Sequence, residues 1–123
     1  MKRNFIINIL VSGALGALIW FCSPYVTGMV EPWDSETPYY FTCLFIAGFI
    51  TGAICPRHIW AAFLGIVIGQ LLYIFIFIPL GPLIVIGIPV MFALALLALV
   101  GIFLGTRIRC FLKGYMAGAN NRA

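Results

Sequence analysis

The chain has 123 residues, of which 64% are hydrophobic and 8% charged, and its formal net charge is +4. Soluble domains carry about a quarter charged residues, so this composition excludes an ordinary water-soluble domain, and the length allows one domain, residues 1–123. The Lys and Arg residues stand in small clusters at the ends of apolar runs, which marks them as topology determinants and excludes a nucleic-acid partner.

Lys2 and Arg3 precede a first apolar run over residues 5–22, long enough to cross a bilayer. A basic start followed by an apolar stretch also fits a signal peptide. The run continues past the small residues Ala14 to Ala17 through Leu18, Ile19, Trp20 and Phe21, which favours a retained helix. Residues 23–38 read as an irregular outer loop with Pro24, Pro32, Pro38, Gly28, Trp33 and all three acids, Glu31, Asp34 and Glu36. Residues 39–54 form a second span of about minimal length. Cys55, Pro56, Arg57 and His58 then interrupt the apolar sequence, and Pro56 ends a helix there because it lacks an N–H and clashes with the preceding turn. Residues 59–78 are a third span, Pro79 to Pro82 a short turn, and residues 83–104 the fourth and longest span. Pro89 predicts a kink near residues 85–89 in that span, with its outer third leaning on neighbouring protein. The tail, residues 111–123, is expected to fray.

The expected fold is therefore an all-α integral membrane protein, four transmembrane helices arranged as two tandem hairpins. A shift of 53 positions superposes Gly16 on Gly69, Gly28 on Gly81, Gly48 on Gly101 and Gly52 on Gly105, where chance supplies about one coincidence. This marks an internal repeat, about 1–54 and 55–107, with a pseudo-twofold axis along the membrane normal. With four spans every basic residue falls on one side and every acid on the other. The positive-inside bias then places both termini in the cytoplasm of a bacterial-type inner membrane.

Small residues recur four apart, hence on one helix face: Gly13 with Ala17 and Ser12 with Gly16, then Gly48 with Gly52, Gly65 with Gly69, and Gly101 with Gly105. Such faces let backbones approach closely, either within the chain or against a second copy or a larger membrane complex. The polar residues inside the spans are Asn8, Ser12, Thr42, Thr51 and Gln70. None is ionisable, whereas proton-coupled pumps use an intramembrane carboxylate, His or Lys. Asn8 and Gln70 are candidates for interhelical hydrogen bonds or for contact with a solute. Glu31, Trp33, Asp34 and Glu36 form a candidate partner-binding loop, and Arg57, Arg107 and Arg109 candidate lipid-headgroup contacts. His58 has no metal-site spacing, the acids lack the ligands and glycine of a calcium loop, and no CxxC occurs. Cys22 and Cys43 either pair or remain buried thiols. No catalytic residue, cofactor or metal is expected. The expected function is non-enzymatic: an accessory or assembly subunit that packs through its glycine faces. The alternative is a small oligomeric channel or transporter whose solute needs no charged site.

Overall fold

The apolar runs become four helices: α1 (Lys2–Thr27), α2 (Tyr39–Ile54), α3 (Ile59–Phe77) and α4 (Ile84–Asn120), with a single 3-10 turn at Pro32–Asp34, in a computed structural model that describes residues 2–122. Helices α1, α3 and α4 are long and apolar enough to cross a membrane, and α2 is a shorter apolar helix of 16 residues. No strand occurs among the described residues. Helix α2 stops where Pro56 requires it, the Cys55 N–H closing the last turn on the Thr51 carbonyl at 3.0 Å.

Two helices outrun the apolar stretches that define them. Helix α1 passes through Pro24 to Thr27 instead of ending at residue 22. Pro24 leaves the Trp20 carbonyl without its helical donor, but hydroxyls reinforce the last turn: Thr27 donates to the Ser23 carbonyl at 2.9 Å, and Ser23 to the Met29 carbonyl at 2.7 Å. Gly28 then ends the helix. Its φ of +75° is open to glycine, and its N–H bonds the Pro24 carbonyl at 3.1 Å, a left-handed cap. Helix α4 includes Pro89 and continues past residue 104 to Asn120, 37 residues or about 56 Å. The stretch expected to fray is thus helical through Asn120, since it contains no proline and keeps its backbone ladder; the side chains of residues 111–122 are exposed.

The closest helix pairs lie between the hairpins, not within them: α1 packs along α3, and α2 along α4. Both pairs are parallel, and in both glycines let the backbone of one helix lie against the other. A Cβ added to Gly16 would collide with the backbone of Ile66, and one added to Gly69 with the backbone of Gly13. Gly48 meets Ala98 while Gly101 meets Phe45, and Gly52 meets Ile102 while Gly105 meets Phe49. Every one of these contacts maps onto its partner contact when positions are shifted by 53. That reciprocity is the signature of an isologous contact, so each seam has a local pseudo-twofold axis. One axis does not serve the whole molecule. It would turn the contact between α2 and α3 into one between α4 and α1, and α1 and α4 do not meet.

Candidate functional site

Gln70 of α3 is fully buried and draws together side chains of α1 and α2. Its side-chain oxygen accepts a hydrogen bond from the Trp20 indole N–H at 3.2 Å and another from the Tyr40 hydroxyl at 2.5 Å. Its amide nitrogen lies 3.4 Å from the Ile66 carbonyl. Trp20, Tyr40 and Gln70 are 1%, 1% and 0% exposed, so three side chains from α1, α2 and α3 close around one another without water access. A buried amide that accepts two donors and gives one bond back to its own helix has little capacity left for a solute. The other buried polar side chains are committed in the same way. Asn8 donates to the His58 carbonyl at 3.1 Å, Ser12 to the Asn8 carbonyl at 2.6 Å, and Thr51 to the Ala47 carbonyl at 2.9 Å.

All eight singled-out glycines lie in the two seams: Gly13, Gly16, Gly65 and Gly69 between α1 and α3, and Gly48, Gly52, Gly101 and Gly105 between α2 and α4. They are covered by the chain's own helices. Of the two uses open to these faces, packing within the chain is the one the fold displays, since backbone of the same chain stands against each of them.

At the basic end, Arg109 turns inward. Its guanidinium donates to the Ile54 carbonyl at 2.7 Å and also to the Ala53 carbonyl, satisfying two acceptors left over at the C-terminus of α2. Thr106 bonds the Gly52 carbonyl at 3.3 Å one turn earlier. Arg109 is therefore a clamp between α4 and α2 as well as a surface cation. Arg107 instead lies over the Phe103 ring at 5.0 Å, and Arg57 is exposed in the central turn. The clamp was missed in the sequence although a signal existed: Arg109 sits one turn beyond Gly105, on the seam face of α4.

At the acidic end, the Pro32–Asp34 turn lays Trp33 over the bundle. The Trp33 ring meets the Trp20 ring edge-on at 4.7 Å and the Tyr40 ring at 6.2 Å, while its indole N–H bonds the Glu31 carboxylate at 3.0 Å. Gly87 of α4 faces the same indole: a Cβ there would stand 3.4 Å from it. Between this turn, the end of α3 and the start of α4 lies a cavity of about 450 Å³. Its walls are Trp20, Trp33, Ile74, Ile78, Ile84 and Ile88, and Glu31 and Asp34 stand at its rim. Of the four residues proposed for this loop, the fold gathers Glu31, Trp33 and Asp34 at one opening and leaves Glu36 exposed outside it.

The four cysteines are free thiols; Cys22 and Cys43 both border an apolar cleft of about 260 Å³ beside Tyr39. Among the described residues no three His, Cys, Asp or Glu side chains come together as a metal-binding group. Comparison with known protein families, with characterised proteins and with solved structures finds no match.

Proposed function

We propose that this small membrane-embedded helical protein is a non-enzymatic accessory or assembly subunit of a larger membrane complex. It crosses a bacterial-type inner membrane four times, with both termini and the basic end in the cytoplasm, as the one-sided placement of Lys and Arg favours. The observation that carries this reading is the closure around Gln70. A transporter for an uncharged solute would present that amide to a hydrated lane, whereas here two donors saturate its oxygen in a dry core. A partner would meet the lipid-facing exterior and the projecting end of α4, where Phe111, Tyr115 and Met116 are exposed.

The test compares membranes from cells with and without the gene, by native separation of intact complexes followed by identification of their chains. Loss of one assembled complex, restored by the wild-type protein, is the expected result. Unchanged complexes, together with solute flux through liposomes holding the purified protein alone, would replace this reading with the transport one.

A further inference from the structure

The cavity at the acidic end has the features of a small-molecule site: it is concave, largely apolar and aromatic, and carries few polar groups, all on one side of its mouth. Its charge is uncompensated. Glu31 and Asp34 stand at the rim, while every Lys and Arg residue belongs to the opposite end of the bundle, at residues 2–3, 57 and 107–122. The Trp33 N–H bond to Glu31 anchors the indole at the rim without neutralising the carboxylate. Two carboxylates, one of them at the edge of the Trp33 indole, above a wall of isoleucines, complement a positive charge on an apolar body. A zwitterionic lipid headgroup fits less well: it would bring a phosphate against two carboxylates where no cation stands to balance it.

We propose that this cavity binds a free hydrophobic organic cation, a quaternary or protonated amine or an onium ion, with Glu31 and Asp34 at the charge and Trp33 and the α3–α4 isoleucines around the apolar part. Gly87 keeps the cavity open. It lies in the cavity wall against Trp33, where a Cβ would stand 3.4 Å from the indole, so a large side chain there would push Trp33 from its place in the wall. The site is independent of the subunit reading, because purified protein alone is sufficient to bind.

The three tryptophans make the test direct. Two of them line the cavity and the third, Trp60, lies on α3 near the basic end, so Trp60→Phe leaves only cavity reporters. The Trp60→Phe protein in phosphatidylcholine nanodiscs is titrated with tetraphenylphosphonium and, separately, with tetraphenylborate, an anion of nearly the same shape. The expected result is a saturable change in tryptophan emission with the phosphonium and none with the borate. The double variant Glu31→Gln, Asp34→Asn weakens the phosphonium response by about tenfold or more, and Gly87→Leu abolishes it while helical circular dichroism is retained. Equal responses to both ions, no saturable response to the phosphonium, or parent-like titration of either folded variant would overturn the proposal. Should the double variant not fold, Asp34→Asn alone, at an exposed position, and the comparison of the two ions on the parent decide the matter.

Discussion

Adding a single methyl group at Gly48 or Gly101 tests the seam between α2 and α4 from both sides. A Cβ on Gly48 would lie 2.9 Å from the Ala98 carbonyl carbon and 3.1 Å from its Cα, and closer still to the oxygen. A Cβ on Gly101 would lie 2.9 Å from the Phe49 nitrogen and 3.1 Å from the Phe45 carbonyl carbon. Carbon atoms settle at about 3.5–4.0 Å, so either substitution drives the backbones apart by very roughly 1 Å, and these are backbone atoms that no rotamer change can move. Overpacking of this kind costs about 1–3 kcal/mol, and the better helix propensity of alanine offsets up to about 1 kcal/mol of it. The net loss for Gly48→Ala or Gly101→Ala is on the order of 1 kcal/mol. Because both substitutions demand the same separation of the same two helices, the double variant should lose little more than the worse single one. Gly48→Ala combined with Gly16→Ala, which opens the other seam, should instead add. The assay is reversible unfolding in mixed micelles, with Gly118→Ala as the control because a Cβ there meets nothing within 4 Å. Additive losses for Gly48 with Gly101, or losses no larger than that of Gly118→Ala, would refute the reciprocal seam.

Gln70→Leu should destabilise the fold by about 1–2 kcal/mol in the same assay, because the Trp20 and Tyr40 donors lose their acceptor; adding Trp20→Phe and Tyr40→Phe should recover part of that loss, and a wild-type unfolding curve for Gln70→Leu would show that the bonds contribute nothing. Cys110, exposed near the basic end, should react with a membrane-impermeant maleimide only from the cytoplasmic side when Cys22, Cys43 and Cys55 are serine, and labelling from the outer side alone would reverse the orientation.

The apolar runs made the helices legible because lipid leaves a backbone no alternative to internal hydrogen bonds. Tyr39–Ile54 is bounded as the sequence indicates, by Pro38 and by the break at Pro56. Helix ends outside the apolar runs were harder to read: α1 turns on the Ser23 and Thr27 hydroxyls and on a left-handed Gly28, and α4 continues where nothing breaks it. Gln70 stood out as a polar residue at depth, but its partners did not. Trp20 and Tyr40 resemble ordinary interfacial aromatics until the bundle brings α1 and α2 against α3. The glycine spacing marked the close faces without saying which helices share them. The 53-residue shift held that answer in part, since it exchanges the contacts of each seam with one another, Gly16 on Ile66 with Gly69 on Gly13 and Gly48 on Ala98 with Gly101 on Phe45. Arg109 was read as a surface charge because only α2, ending beside it, makes its inward turn worthwhile.

Pairing α1 with α3 and α2 with α4 also sets an order of events during synthesis. When α1 and α2 leave the ribosome, neither has its main partner, for each waits on a helix that begins dozens of residues later. At about 5–20 residues per second that wait lasts roughly 2–6 s. For that interval the first hairpin presents to the bilayer two bare glycine faces together with Ser12 and Thr51, groups that are buried only in the finished bundle. A half-made chain is thus at its most adhesive when it is least complete, able to pair with whatever small-faced helix lies nearby. The second hairpin ends that exposure in two steps, α3 covering α1 first and the stretch of α4 from Ala98 to Arg109 covering α2 afterwards.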